Sequence, residues 1–282
     1  MIGIIGGSGL YELFEPQSTV EPDTPYGPPS APITLATVSG VPTAFLPRHG
    51  LQHELPPHRV PYRANLWALR QVGVTRIVAP CASGSLRADL PPGTFVVCDQ
   101  FVDRTTSREH TFFDGPDVRH VSAADPYCAD LRSTLLAAGA EHGLPMHDGG
   151  TVVVIEGPRF STRAESAWFQ AMGWDLVNMT AYPEGWLARE LGLCYANVSL
   201  VTDYDVGVAG DDGGGAVTAK AVLETFAPTS SASACCSRAP SRASARRPRA
   251  MPAGRRWTVQ RSSGDACRKR AGWAFAWNVQ HP

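Results

Sequence analysis

The chain has 282 residues, 43% hydrophobic and 18% charged, which is the makeup of a soluble globular protein of one large domain or two small ones. The net charge of −1 hides a division: residues 1–226 carry 14 Lys/Arg against 25 Asp/Glu, and residues 227–282 carry 11 against 1. No run approaches the roughly 20 apolar residues of a membrane span, the N-terminus lacks the basic start of a signal peptide, and seven scattered cysteines without a CxxC pair imply free thiols in a reducing cytoplasm, with no structural zinc site.

In chain order, residues 2–5 are an apolar strand running into Gly6-Gly7-Ser8-Gly9. Residues 33–38 and 43–46 read as two further strands, with Gly40-Val41-Pro42 at the turn between them. Residues 62–72 have helical apolar spacing and stop at Gly73. Residues 76–79 and 95–98 are strands, 131–142 an amphipathic helix and 151–155 a buried strand. Thr162-Arg163-Ala164-Glu165 fits a capping box opening a helix to Met172. Pro183-Glu184 suits a first helical turn, with Gly192 as the stop. Residues 195–201 are a strand leading into Thr202-Asp203-Tyr204-Asp205, and 219–226 begin a last helix. This alternation predicts an α/β domain with a mostly parallel or mixed central sheet flanked by helices. Sites in such sheets form beyond the carboxyl ends of strands, and the polar clusters at Ser8, Arg48-His49, 81–85, 178–180 and 203–205 are expected there.

Each cluster has a chemical reading beside a plain one. The glycine loop at 6–9 can aim N–H groups at an anion, or be a tight turn; it lacks the GxGxxG and GK[ST] spacings. Arg48 beside His49 suits an oxyanion, or a surface loop. Phe160, behind the Gly157-Pro158 turn, can stack on a base, or fill a core. Asn178-Met179-Thr180 places a hydroxyl at a helix start, which serves an anion and a cap equally. Asp203 and Asp205, two apart on an extended segment, point the same way; one held protonated could serve a leaving group, or both could be solvated. His49, His53, His58 and His120 lack metal-ligand spacing, so no metal is expected.

Taken together, the segments IGIIGGSGL, PRHG (47–50), YRANLWAL (62–69), CASGSL (81–86), DQFVDRTT (99–106), EGPRFSTRAES (156–166), NMTAYPE (178–184) and TDYD (202–205) resemble the trimeric purine nucleoside phosphorylases, and within them the 5′-methylthioadenosine phosphorylase branch. The resemblance covers residues 2–226. It implies a single-domain nucleoside-phosphorylase fold and phosphorolysis of 5′-methylthioadenosine to adenine and 5-methylthioribose 1-phosphate. Inorganic phosphate is then a co-substrate, with no metal or organic cofactor. It implies phosphate contacts from Ser8, Arg48, His49, Cys81, Ala82 (through its backbone N–H) and Thr180. Met179 would lie under the ribose beside Asn178, and Phe160 would stack on the base. Asp203 and Asp205 would recognise the base, with Asp203 as the proton donor. His120 would reach a neighbouring subunit's 5′ pocket, and Val222 and Leu223 would line the nucleoside site. A cytoplasmic homotrimer is implied, without membrane partners. Carboxyls at 203 and 205 favour adenine; 5′-methylthioinosine or a broader range of purine nucleosides stays open, since Met-Thr-Ala-Tyr-Pro-Glu departs from the family's Met-Thr-Thr/Ser-Val-Pro-Glu.

Residues 227–282 are a separate, basic, Ser/Ala/Arg/Pro-rich tail in which helical periodicity is absent. One reading is a disordered segment able to touch nucleic acid; the charge of the first 226 residues argues against such a partner. The other, preferred for its abrupt onset in mid-helix and its unpatterned Trp257, Trp273 and Trp277, is a reading-frame change. Loss of the family's closing helix would then weaken activity, or leave an inactive purine-binding remnant.

Overall fold

The computed structural model describes residues 1–7, 16–38, 40–144 and 146–208. The strands are β1 (Ile2–Gly6), β2 (Ser18–Val20), β3 (Ile33–Val38), β4 (Val41–Pro47), β5 (Arg76–Ser85), β6 (Phe95–Val97), β7 (Gln100–Arg104), β8 (Met146–Asp148), β9 (Thr151–Ile155), β10 (Leu176–Asn178) and β11 (Cys194–Tyr204). The helices are α1 (Tyr62–Gln71), α2 (Ala129–Glu141), α3 (Arg163–Ala171) and α4 (Ala181–Glu190). Ser8, Val222, Leu223 and the whole tail lie outside the described residues.

All eleven strands join one mixed sheet, in the order β2-β3-β4-β1-β5-β10-β9-β7, with β11 branching from β5 and carrying β6 and β8. Two long parallel strands, β5 and β11, are its axis. Period-two alternation distributes their side chains to two cores. Ile77 and Ala79 of β5 and Tyr195 and Val201 of β11 join the larger cluster, with Leu66 and Leu69 of α1 and Leu187 of α4. Val78, Ala196, Val198 and Leu200 face the opposite way, onto Leu131 and Leu135 of α2. The buried positions of α2 recur at the three-to-four spacing that puts them on one helix face, while those of α1 wrap more than half of the helix. The capping box of α3 forms as expected: Thr162 Oγ1 accepts from the Glu165 N–H (3.2 Å), and Glu165 Oε2 accepts from the Thr162 N–H (2.8 Å).

Four expectations are corrected. β5 and β11 run on to Ser85 and Tyr204, so Cys81–Ser85 and Asp203 are strand residues rather than loop residues. These residues pair with each other across the sheet, past a bulge between Val201 and Asp203, and the ladder continues to the strand ends. β2, β7 and β8 also form, strands too short or too polar to stand out in the sequence. α4 begins at Ala181, although its regular turns start at Pro183 because Tyr182 is extended (φ −118°, ψ 137°). Finally, Cys128 and Cys194 are joined as a disulfide with Cα atoms 5.2 Å apart, where free thiols were expected. The strand start at Cys194 and the residue before α2 are brought together by the Cys128 N–H bond to the Tyr195 carbonyl (2.9 Å).

Candidate active site

The sheet forks along β5, and the fork makes the site. β1 pairs with β5 at Arg76–Val78, and β10 pairs with it only from Gly84. Between them Pro80–Ser83 keep β11 on one edge and a gap on the other. Within a strand, the N–H and C=O of one residue point the same way and alternate along the chain. The Pro80 carbonyl points into the gap, where Arg48 Nη1 donates to it (3.2 Å). The same parity sends the Ala82 N–H into the gap as well.

A cavity of about 530 Å³ occupies this gap, lined at its edges by the ends of β1, β4, β9, β10 and β11. It falls within the range of small-molecule sites. Arg48 and His49 sit at the end of β4. The Arg48 guanidinium is 1% exposed. Its Nε and Nη2 donate to the two Glu184 oxygens (2.7 and 2.9 Å), and Nη2 also donates to the Ile5 carbonyl (3.0 Å). With the Pro80 bond, four of its five N–H groups serve the protein, and among the described residues the fifth, on Nη1, has no partner and can serve a ligand.

His49 is buried, and burial with the Arg48 charge beside it lowers its pKa to about 4. Its Nδ1 lies 2.8 Å from the Leu55 carbonyl. A carbonyl only accepts, so Nδ1 carries the hydrogen, and the neutral ring offers Nε2 as an acceptor. The expected anion contact from His49 is therefore a donor only when the ring is protonated.

Thr180 stands at the N-cap of α4 but makes no capping bond through its side chain. That task falls to Asn178, whose Oδ1 accepts from the N–H groups of Thr180 and Ala181 (3.4 and 3.3 Å). The Thr180 hydroxyl instead meets Cys81 Sγ at 3.5 Å. Burial pushes the Cys81 thiol up from its ordinary range, so it remains S–H.

At the other end of the gap, Thr202 Oγ1 donates to Asp203 Oδ2 (2.7 Å). Burial raises the Asp203 carboxyl above its ordinary range; the Thr202 hydroxyl opposes this and Asp205 adds to it. Asp205 is 2% exposed and is raised chiefly by burial, against the pull of Ser166 and Ser161. Among the described residues its Oδ2 and Asn178 Nδ2 are buried without a hydrogen-bond partner, both on residues of the cavity wall. Gly84 passes directly beneath Asp203: a Cβ there would stand 3.1 Å from Asp203 Oδ1. β5 thus serves as a ruler, with Arg48 at Pro80, Thr180 at Cys81 and Asp203 at Gly84. At about 3.3 Å per residue, the guanidinium and carboxyl zones are roughly 13 Å apart.

The family model of the phosphorylase superfamily matches residues 1–235. The chain belongs to that superfamily. The S-methyl-5′-thioadenosine phosphorylase of Mycolicibacterium smegmatis is 58% identical over 230 residues, 81% of this chain and 86% of the relative. A purine nucleoside phosphorylase of Streptomyces coelicolor is 54% identical over 234 residues, 80% of this chain and 82% of the relative. Among solved structures, the methylthioadenosine phosphorylase of Schistosoma mansoni in complex with adenine superposes with a TM-score of 0.76 at 41% identity, covering 81% of this chain and 86% of that one.

In this phosphorylase one cavity gathers Arg48, His49, Cys81, Ala82, Phe160, Asn178, Met179, Thr180, Asp203 and Asp205. Phe160 is 37% exposed and lines the cavity, so it is not a core residue. His120 is exposed and does not line the cavity. Gly7, next to Ser8, does line it. Sequence reasoning placed Ser83 and Gly84 in the 81–85 cluster without giving them a role, and missed His53 and Ser161 on the wall and Glu184 behind it. The signal for Glu184 was available: a single acid in the otherwise apolar first turns of α4 must find a buried cation. Among the described residues, no cluster of three or more His, Cys, Asp or Glu could hold a metal, and no helix is long and apolar enough to cross a membrane.

Proposed function

We propose that this phosphorylase cleaves 5′-methylthioadenosine with inorganic phosphate, releasing adenine and 5-methylthioribose 1-phosphate. The observation that carries the reading is a single cavity with an anion-receiving zone at Pro80–Ala82 of β5 and two carboxyls with raised pKa, Asp203 and Asp205, beside Gly84 of the same strand.

Phosphate is held by the remaining Arg48 N–H, the Ala82 N–H and the Thr180 hydroxyl at the start of α4, with the Ser8 hydroxyl that the family resemblance implies as a further donor. Fixed donors of this kind stabilise an anion without reorganising. The nucleoside lies along β5 with Met179 under the ribose and Phe160 against the purine. The C1′–N9 bond loosens first, and the phosphate dianion stabilises the positive charge that develops on the sugar. A phosphate oxygen then bonds to C1′. Asp203, whose carboxyl burial raises above the ordinary range, gives its proton to N7 as the base departs, and solvent reprotonates it. Asp205 accepts from the 6-amino group. No metal or organic cofactor takes part. His120, exposed on its own chain, serves the site of a neighbouring subunit in a homotrimer.

The test is release of free base from methylthioadenosine, methylthioinosine, adenosine and inosine, each with and without orthophosphate. Phosphate-dependent release fastest with methylthioadenosine is expected. Release that ignores phosphate, or none at all, overturns the reading and leaves a purine-binding remnant.

A further inference from the structure

Behind the cavity wall a polar ladder crosses the β5–β11 pair. Cys81 and Ser83 on β5, and Asn197 and Ser199 on β11, share one face of the sheet by alternation, and Ser199 stands opposite Cys81 in register. All four are at most 4% exposed. Ser83 Oγ bonds Ser199 Oγ (2.9 Å), Ser199 Oγ bonds Asn197 Oδ1 (2.8 Å), Asn197 Nδ2 bonds Cys81 Sγ (3.2 Å), and Cys81 Sγ meets Thr180 Oγ1 (3.5 Å). Both ends, Ser83 and Thr180, line the cavity.

The direction of this relay is set by one group. Asn197 Nδ2 also bonds the Ala79 carbonyl (3.3 Å). A carbonyl only accepts, so the amide nitrogen must lie on that side. Asn197 Oδ1 therefore faces Ser199 and takes its single hydroxyl hydrogen. Ser199 can then only accept from Ser83. On the other side Asn197 donates to Cys81, whose one hydrogen has Thr180 Oγ1 within reach as its acceptor. The Thr180 hydrogen is left for the cavity, because its hydroxyl makes no capping bond.

We propose that Asn197 is a positioning residue for the phosphate subsite. It polarises the relay so that Thr180 presents a hydrogen-bond donor, and Ser83 an acceptor, to the bound substrates. This rests on the reading of the cavity as a phosphate-plus-nucleoside site. The donor end matches an anion beside Arg48, and the acceptor end, two residues along β5 from Cys81, matches a sugar hydroxyl. Successive donors in a buried chain also strengthen one another.

The test uses the full chain and reads the KM for phosphate separately from that for the nucleoside. Asn197→Ala should raise the phosphate KM about tenfold, the loss expected for one bond to a charged acceptor, with a smaller change for the nucleoside. Cys81→Ala should do the same, whereas Cys81→Ser, which still accepts and donates once, should recover most of that loss. In a Thr180→Val background, Asn197→Ala should add nothing, because its effect passes through that hydroxyl. A phosphate KM within about twofold of wild type for Asn197→Ala, or a full further rise in the Thr180→Val background, overturns the proposal. If Asn197→Ala does not fold, equal phosphate KM values for Cys81→Ala and Cys81→Ser overturn it. Calorimetric titration of phosphate into the same variants reads the relay without turnover, so a chain that binds phosphate and cleaves nothing counts against the functional reading alone.

Discussion

The carboxylate of Glu184 grips the guanidinium of Arg48 at two points, 2.7 Å at Nε and 2.9 Å at Nη2, with both side chains no more than 2% exposed. Tyr195 adds a third partner, donating its hydroxyl to Glu184 Oε1 at 2.8 Å. The pair joins β4, α4 and β11 behind the phosphate zone. Removing one partner of such a pair leaves a desolvated charge without compensation, a loss of about 3–5 kcal/mol. Glu184→Ala should therefore lower the urea midpoint strongly and raise the phosphate KM in whatever fraction stays folded. A midpoint matching wild type would show that Arg48 is held by its carbonyl partners alone.

His49 gives stability a pH dependence whose sign can be worked out. Its folded pKa is about 4 against 6.5 for the free side chain. Between those values the unfolded chain binds a proton that the folded chain refuses, so folding free energy is lost as the pH falls through the window. The contribution is fully present above pH 6.5, and the full shift corresponds to about 3 kcal/mol. His49→Gln should flatten the difference between urea midpoints at pH 7 and pH 4.5; an unchanged difference would assign the acid sensitivity elsewhere.

Much of this frame is legible in the sequence because the relevant forces are local. The edges of β3 and β9 follow from apolar runs bounded by turn residues, and the α3 capping box from Thr162 and Glu165. What is not legible depends on pairing. Nothing near Cys81 in sequence says that β5 keeps β11 while losing β1 at Val78, yet that gap is the site. The motifs bring together the ligand-facing residues, such as Arg48 and Thr180. They do not reveal Asn197 or Ser199, and they show Glu184 only as a lone acid whose partner, Arg48, lies 136 residues away. Nor does alternation alone indicate that Asn178, rather than Thr180, caps α4.

Gly84 tests the closeness of β5 to the acid. A Cβ would stand 3.1 Å from Asp203 Oδ1 and 3.2 Å from Val177 Cγ1, closer than ordinary packing allows. Gly84→Ala should fold, because the strand conformation is one that alanine adopts, but it should push the carboxyl off its position. The expected result is a fall in kcat of about tenfold or more, as small misplacements of catalytic groups produce, with little change in phosphate KM. An unaltered kcat would mean that Asp203 tolerates displacement and is not positioned by β5.

In the proposed function Phe160 contributes binding without chemistry. It lines the cavity while remaining 37% exposed, so truncation removes a stacking face and little core. Aromatic–base stacking is worth about 1–3 kcal/mol per base. Phe160→Ala should raise the nucleoside KM about fivefold to a hundredfold, leave phosphate KM alone and hardly move the unfolding midpoint. Phe160→Tyr should recover most of the loss. A large loss of stability in Phe160→Ala would instead make the ring a packing element.

Asp203 should reveal itself by opposite effects on rate and stability. Burial raises its carboxyl above the ordinary range, so the protonated form that can donate to a departing base persists to a higher pH than in the unfolded chain. kcat should fall as the pH rises through that raised value. The linkage has the same sign for stability: between the ordinary and the raised value the folded chain holds the extra proton, and folding free energy declines with increasing pH. Asp203→Asn removes both the proton and the penalty for charge. It should cut kcat by about 10²–10⁴-fold, abolish the alkaline limb of the pH profile, and raise the urea midpoint at neutral pH. If Asp203→Asn is slower and also less stable, the carboxylate is charged and stabilising in the folded chain, and the donor role passes to Asp205.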